Sequence, residues 1–167
     1  MSLSITIAEF LSSIPHWIAT IVIGMLPVSE LRGAIPVALG IYEMSVPEAY
    51  FFAVIGNMIP VIPLLLYLEP VSNFLRRWRV WDIFFTWLFS KTYHNHSERF
   101  EKYGTFALTI FVAIPLPITG AWTGCAAAFV FGMKTSHALL AIFIGVLISG
   151  VIVTVLTVAG IGLIEII

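Results

Sequence analysis

Residues 115–120 read Pro-Leu-Pro-Ile-Thr-Gly and lie in the middle of a stretch, 103–133, that contains no charged residue. As a straight helix at 1.5 Å per residue this stretch would be about 46 Å long, whereas the hydrocarbon core of a bilayer is about 30 Å thick. Two prolines and a glycine within six residues strongly disfavour helix at its centre. We therefore predict two half-helices joined by a broken tip, forming a re-entrant hairpin that enters and leaves the membrane on one side.

The composition of the whole chain places it in a membrane. Of its 167 residues, 60% are hydrophobic and only 10% are charged, whereas about a quarter of an average soluble domain is charged. This excludes an ordinary soluble enzyme. The formal net charge of −1 also argues against a protein that binds nucleic acid or acidic substrates.

The basic residues indicate which side of the membrane is cytoplasmic. Eight basic residues occur in the chain, and most lie in the segment 69–102. Within this segment, apolar and aromatic residues from Phe74 to Leu88 follow helical spacing, which predicts an interfacial amphipathic helix over 73–90 with its tryptophans at headgroup depth. A solvated loop is the alternative. Six of the eight basic residues lie in the segment 69–102, which the positive-inside rule makes cytoplasmic: Arg76, Arg77, Arg79, Lys91, Arg99 and Lys102.

A second predicted helix break, with a similar sequence, precedes this segment. Residues 26–29 read Leu-Pro-Val-Ser and residues 116–119 read Leu-Pro-Ile-Thr, an offset of 90 residues. Each break is followed by an apolar run, 49–68 or 135–164, that is long enough to span a bilayer. An internal repeat is therefore predicted. The single domain, 1–167, then contains repeat unit one (10–68), an insert (69–102) and repeat unit two (103–165).

The predicted topology makes the two units inverted. A re-entrant hairpin followed by one spanning helix crosses the membrane once per unit, so the second unit must run in the opposite direction. Full crossing by both hairpins would put Lys134 on the opposite side from the 69–102 segment, so the charge pattern favours re-entrance. Inverted repeats with broken helices at mid-membrane are a recurrent transporter design. We expect a multi-pass protein of the cytoplasmic membrane.

The first tip carries the sharpest local signal, Glu30 and Arg32, in an otherwise apolar region. A charged side chain at the bilayer centre costs at least about 2.5 kcal/mol on insertion scales. Glu30 is a candidate protonation site, because burial favours the neutral carboxyl whereas a nearby arginine favours the charged one. Arg32 would meet a polar or anionic substrate head. The alternative is a structural pair that holds the hairpin together. Pro27 and Ser29 belong to the same candidate site.

The second tip contains no charge but offers hydrogen-bond donors. Thr119 contributes a hydroxyl, Trp122 an indole N–H, and the half-helix that starts here contributes backbone amides that favour an anion. Across a pseudo-twofold axis these groups would face the first tip. Close helix packing is the alternative for Gly120. Pro117 completes this half of the candidate site.

Asn57 is the remaining candidate, near the middle of the first apolar run and just before Pro60 and Pro63. A substrate contact and an amide that satisfies a carbonyl freed by a proline are both consistent with this position. No catalytic, metal-binding or nucleotide-binding motif occurs, so we expect no enzyme, cofactor or metal. The single cysteine, Cys125, excludes an internal disulfide and a cysteine zinc site.

In three stretches the chain resembles the small multidrug export protein family: PVSELRGAIP (27–36), FEKYGTFALTIFVAIP (100–115) and PLPITGAWTG (115–124). More distantly it is similar to the DedA (VTT-domain) superfamily, whose tip carboxylate corresponds to Glu30. The lysine-tyrosine-glycine stretch of that superfamily corresponds to residues 102–104. These resemblances imply opposed re-entrant hairpins and a transport role. DedA relatives further imply movement of undecaprenyl phosphate or phospholipid, with proton-motive force involved.

One departure from the DedA pattern bears on the substrate. That pattern places arginine around the second tip, where this chain has Ala113, Ile114 and Trp122. A lipid phosphate would therefore depend on Arg32 and backbone amides.

Three functions follow as hypotheses. The first is a proton-coupled transporter of a small amphiphilic or lipid-like substrate, with Glu30 exchanging a proton. The second is a DedA-like lipid translocase, a flippase or scramblase, and the third is a membrane scaffold that does not transport. The expected partners are membrane lipid, the amphiphilic substrate and protons, and a small bundle with much lipid-exposed surface is also compatible with a homodimer.

Overall fold

The structure is a computed structural model that describes residues 14–75, 77, 98–116 and 119–164. Regular secondary structure in these residues is entirely helical, which confirms the predicted all-α class. The predicted interfacial helix over 73–90 falls outside the described residues, apart from its first three positions and residue 77. The helices are α1 (His16–Met25), α2 (Glu30–Gly40), α3 (Val46–Met58), α4 (Val61–Leu75), α5 (Glu98–Ala113), α6 (Ala121–Val130) and α7 (Thr135–Ile164).

Two segments are long and apolar enough to cross a membrane, as the two apolar runs predicted. Val46–Leu68 contains α3 and the first half of α4, and Thr135–Gly162 lies within α7. Their 23 and 28 residues correspond to about 34 and 42 Å at 1.5 Å per residue, which exceeds the hydrocarbon thickness. The first segment is interrupted at Ile59 and Pro60, because proline has no N–H to continue the helical ladder.

Each half of the described chain begins with a helical hairpin. α1 and α2 are joined by residues 26–29, and α5 and α6 are joined by residues 114–120. Together with their flanking residues, these connections are called tip 1 (25–32) and tip 2 (114–122). The predicted helix breaks are therefore present at both positions. α1, α2 and α6 have 10, 11 and 10 residues, or about 15 Å each. That is roughly half the hydrocarbon thickness, so none of the three is long enough to cross it alone.

Glycine allows the closest helix contacts in both halves, where α1 packs on α3 and α5 packs on α7. A Cβ at Gly56 of α3 would overlap the carbonyl oxygen of Ile21 and lie 2.9 Å from its Cα. A Cβ at Gly145 of α7 would lie 2.7 Å from Cβ of Val112 and 2.9 Å from the carbonyl oxygen of Thr109. Small residues at such contacts let helices approach closely in a membrane, where apolar burial contributes little to association.

The long apolar helix α7 holds the two halves together. It packs against α2 and α3 of the first half and against α5 and α6 of the second. α6 additionally contacts α4, so the second hairpin also touches the interrupted span. The fully buried aliphatic side chains that fill the space between these helices are Ile23, Leu31, Ile35, Val61, Val112, Ile142 and Val146.

Candidate functional site

Tip 1 and tip 2 contact each other directly through three hydrogen bonds. The guanidinium Nη1 of Arg32 donates to the carbonyl oxygen of Leu116. The main-chain N–H of Trp122 donates to Oε1 of Glu30 at 3.3 Å, and its indole Nε1–H donates to the carbonyl oxygen of Met25 at 3.1 Å. The bonded residues are 84 to 97 positions apart in sequence, so these contacts join the two hairpins.

Glu30 occupies the first position of α2, where it is only 4% exposed. Its main-chain N–H donates to the carbonyl oxygen of Leu26 at 2.9 Å, which closes tip 1. Its φ angle is +46°, a left-handed conformation that costs a residue with a Cβ about 1–2 kcal/mol. The fold thus holds a charged residue in a conformation that glycine would adopt more easily.

The carboxylate of Glu30 has both ionic and dipolar partners. Its Oε2 lies 3.6 Å from Nη2 of Arg32, so the pairing that the sequence left open is present. The main-chain amides of Ala121 and Trp122, at the start of α6, also interact with the carboxyl group. A helix N-terminus favours an anion because its amides point outward and its dipole is positive there. Glu30 therefore belongs to both tips.

Gly120 provides the space into which Glu30 fits. Its φ angle of +151° lies in a region that side chains other than glycine rarely adopt. A Cβ built on Gly120 would overlap Oε2 of Glu30. Glycine is therefore required here both by the backbone and by the opposing carboxylate. Gly124, one turn later, serves helix packing instead, because its Cβ would lie 2.7 Å from Cγ2 of Val112.

The hydroxyl of Thr119 is used within tip 2 and does not face tip 1. It donates to the carbonyl oxygen of Ile114 and accepts the main-chain N–H of Leu116 at 3.0 Å. These bonds fix the backbone around the Leu116 carbonyl that Arg32 contacts. Thr119 is accordingly a positioning residue in this geometry.

The other sequence-predicted site residues are distributed around the tips. Ser29 is buried but its side chain makes no capping hydrogen bond, and Pro27 is exposed. Asn57 is 1% exposed in α3, and a Cβ at Gly24 of α1, close to tip 1, would lie 3.3 Å from its main-chain nitrogen. Pro117 lies outside the described residues.

A large apolar groove beside the second hairpin was not predicted from the sequence. Its volume is about 560 Å³. It runs between α5 and α6 from the open end of the hairpin to Phe111, less than one helical turn before tip 2. Its lining consists of Tyr103, Gly104, Ala107, Leu108, Phe111, Ala127, Phe131 and Met133.

Two main-chain groups of the site were also missed, the carbonyls of Met25 and Leu116, because no residue type identifies a carbonyl that a broken helix leaves available. The only sequence signal for them is a nearby proline, Pro27 two residues after Met25 and Pro115 directly before Leu116. Within the described residues, no group of three or more His, Cys, Asp or Glu side chains could hold a metal ion.

A family model described as "Putative small multi-drug export protein" matches residues 30–152. The match begins at Glu30 and extends through tip 2 into α7. No curated protein and no solved structure matches the chain. The predicted resemblance to this family is thereby confirmed, whereas the more distant likeness to the DedA superfamily stays a prediction.

Proposed function

The chain belongs to the small multi-drug export protein family, and on that premise we propose that it transports small amphiphilic molecules across the cytoplasmic membrane in exchange for protons. Glu30 is the proton-binding group, and the contact between tip 1 and tip 2 is where transport is controlled. The observation that carries this proposal is the buried Glu30 carboxylate, which binds Arg32 on its own hairpin and the Trp122 amide on the other.

The dimensions of the hairpins support a re-entrant, inverted arrangement. α1, α2, α6 and the apolar part of α5, Tyr103–Ala113, are each about half as long as the hydrocarbon core is thick. A tip formed by such helices would lie near mid-membrane. Each hairpin is followed by one segment long enough to span, so the two repeat units would run in opposite directions. The 69–102 segment would then lie in the cytoplasm, as its basic residues predict.

Proton exchange at Glu30 offers a way to couple pH to the opening of the tips. The charged carboxylate attracts both the Arg32 guanidinium and the amides of α6. Protonation removes that charge and weakens the hydrogen bonds that depend on it, so the tips separate more easily. Loss of the proton restores the closed contact. A carboxyl group is suited to this role because burial favours its neutral form, whereas positively charged partners favour its ionised form.

The amphiphilic character of the substrate follows from two neighbouring surfaces. The groove between α5 and α6 is lined by apolar side chains such as Phe111 and Phe131, and it would take the apolar part. The Arg32 side chain, 22% exposed at the tips, would meet a polar head. A lipid translocase is less favoured, because Arg32 already binds both Leu116 and Glu30 and has fewer donors left for a phosphate.

A scaffold that does not transport is the second candidate function. The direct pairing of Glu30 with Arg32 favours it, because a locked pair would join the hairpins permanently. This function predicts that neither an amphiphile nor a lipid crosses the membrane through the protein.

Transport by reconstituted vesicles separates these functions. We expect the wild-type protein to move the fluorescent amphiphile ethidium in response to an imposed pH gradient. The Glu30→Gln variant should remain folded but lose the pH-driven movement, because glutamine keeps the shape and cannot release the proton. Glu43→Gln, which changes an exposed carboxylate in the loop after α2, is the matched control and should transport normally.

Each other outcome of this experiment rejects a part of the proposal. Unchanged transport by Glu30→Gln would remove the proposed role of Glu30. A wild-type protein that moves neither ethidium nor a fluorescent phosphatidylglycerol would support the scaffold. Movement of the phosphatidylglycerol alone, lost in Arg32→Ala, would support the lipid translocase.

A further inference from the structure

The interruption between α3 and α4 leaves two backbone carbonyls, those of Gly56 and Ile59, without their helical donors. In a continuous helix, residues 60–63 would donate to the carbonyls of residues 56–59. Pro60 and Pro63 have no N–H. Around the two prolines, the main-chain N–H of Ile59 donates to Ile55 at 3.1 Å and that of Leu64 donates to Pro60 at 3.0 Å.

A buried side-chain acceptor lies in the same turn. Oδ1 of Asn57 is inaccessible to solvent and has no hydrogen-bond partner among the described residues. Asn57 as a whole is 1% exposed, and its neighbour Gly56 is also buried. The amide side chain therefore belongs to the same turn as the two released carbonyls.

Both hairpins pack around this turn. Gly24 of α1, just before tip 1, lies against it, since a Cβ there would be 3.3 Å from the nitrogen of Asn57 and 3.4 Å from Cα of Gly56. In the second hairpin, Sγ of Cys125 in α6 lies 3.9 Å from the carbonyl oxygen of Val61, two residues after this turn. A ligand at this turn would therefore lie beside α1 and close along the chain to the Val61 carbonyl that α6 contacts.

The chemistry of the turn favours a cation over a neutral ligand. Buried polar groups in proteins are nearly always satisfied, because an unpaired one costs several kcal/mol in hydrocarbon-like surroundings. The turn offers oxygen acceptors, and its two prolines remove donors. The acceptors are neutral amide and carbonyl oxygens, which carry no charge to balance a divalent ion. Carbonyl rings and unwound helices of this kind hold K⁺ or Na⁺ in membrane proteins.

We propose that the turn formed by Gly56, Asn57, Met58 and Ile59 binds a small monovalent cation, with Na⁺ the best match. The amide oxygen of Asn57 and the carbonyls released by the two prolines are its ligands. The site is separate from Glu30 and does not require that the protein transports anything. Occupancy stabilises the packing of α1 and α6 against the interrupted span, because the cation satisfies oxygens that those helices bury.

Thermal unfolding of the purified protein in detergent tests this site by binding alone. The midpoint is measured while NaCl replaces choline chloride at constant total salt concentration. A ligand that binds only the folded state should raise the midpoint by about 5–10 °C once its concentration reaches roughly 100 times Kd. LiCl and KCl series then give the selectivity. An equal midpoint in NaCl and choline chloride would overturn the proposal, and it would leave an ordered water as the partner of Asn57.

Two substitutions of Asn57 connect the effect to the turn. Asn57→Leu should abolish the dependence on Na⁺, whereas Asn57→Asp should keep or strengthen it by adding a negative charge. Thr154→Val is the matched control, because it removes another buried polar group from a spanning helix, a hydroxyl that donates to Gly150 at 2.7 Å. It should keep the wild-type response to Na⁺.

The outcomes remain decisive if one variant fails to fold. Should Asn57→Leu not fold, the wild-type salt series and Asn57→Asp still decide, together with equilibrium binding of radioactive ²²Na⁺ to the wild-type protein. An Asn57→Leu variant that folds and retains the response would overturn the assignment. Because no transport is measured, these results are independent of the vesicle experiment with ethidium.

Discussion

The two tips have the same form and different chemistry. Both are breaks between short helices, yet tip 1 contains two charged side chains, Glu30 and Arg32, whereas tip 2 contains none. What tip 2 contributes to the contact is largely main chain, the Leu116 carbonyl and the Trp122 amide. The two halves thus share a backbone plan, while one supplies charge and the other supplies the dipoles that stabilise it.

Loop length explains part of this difference. Tip 1 has four residues between its helices and is closed by a hydrogen bond from Glu30 to Leu26. Tip 2 has seven, and Thr119 orders it from within. The longer loop has carbonyls that no helix uses, and one of them binds Arg32. An internal repeat therefore identifies equivalent positions without implying equivalent roles.

The largest expected effect on stability comes from Gly120→Ala, which tests the close packing of Gly120 against Glu30. The substitution introduces a Cβ into the Glu30 carboxylate at a strained φ angle. We expect a loss of about 3 kcal/mol or more in the free energy of unfolding, the sum of backbone strain and overpacking. Denaturant unfolding in detergent measures it.

Two further variants make this result specific. Gly160→Ala is the matched control, because nothing lies within 4 Å of a Cβ at that position in α7, and it should be neutral or slightly stabilising. Combining Gly120→Ala with Glu30→Ala should recover part of the loss by removing the carboxylate but not the strain. A Gly120→Ala protein as stable as wild type would show that the tips do not meet as described.

An intermediate effect is expected at the glycines that serve the closest helix contact in each half. Gly56→Ala meets rigid backbone of Ile21, whereas Gly145→Ala meets the Val112 side chain as well as backbone. Overpacking of this kind costs about 1–3 kcal/mol. We expect both variants to lose stability, with Gly56→Ala the worse because backbone cannot change rotamer.

Unfolding midpoints of these two variants, compared with Gly162→Ala, sharpen the comparison of the halves. Gly162 has open space around its Cβ position and should tolerate alanine. Similar losses at Gly56 and Gly145 would fit equivalent roles of the α1–α3 and α5–α7 pairs. A loss in only one of them would indicate that the two halves are held together differently.

The smallest effect is expected from Trp122→Phe, which removes a single bond between the tips. Phenylalanine keeps most of the aromatic volume but cannot donate to the Met25 carbonyl. A hydrogen bond of this type contributes about 1 kcal/mol. The main-chain bond from residue 122 to Glu30 should persist, so transport should continue. Trp17→Phe, at a position 47% exposed on α1, is the control and should lose less unfolding free energy than Trp122→Phe. A larger loss in Trp17→Phe than in Trp122→Phe would contradict the bond to Met25.

Much of the fold could be predicted from a few residues. Pro115, Pro117 and Gly120 locate the break of the second hairpin, and the charge-free runs locate the two spans. The sequence indicated the interruption at Ile59 and Pro60 only through its prolines, because proline shows where a helix loses bonds but not whether it realigns. α4 also continues to Leu75, beyond the charge-based boundary at residue 69, since charge marks the membrane surface and not the end of a helix.

The candidate site was predictable in part for a similar reason. Glu30 and Arg32 could be singled out because charge is expensive in an apolar region. Their partners could not, since a carbonyl or an amide is present at nearly every residue. For the same reason the sequence singled out Thr119 by its hydroxyl, whereas the structure uses that hydroxyl inside tip 2.

Each of the three contacts between the tips joins a side chain to a main-chain group: Arg32 to Leu116, Trp122 to Met25, and Glu30 to the amide of Trp122. Replacing Leu116 or Met25 would leave its carbonyl in place, so a mutational scan should find both positions tolerant although they lie at the interface. For the same reason, substitutions on one tip need not be compensated on the other, and paired sequence changes would reveal little of this contact. The hairpins recognise each other largely through main-chain groups, which nearly every sequence supplies. Gly120 is the exception, because the contact at this position requires that no side chain be present.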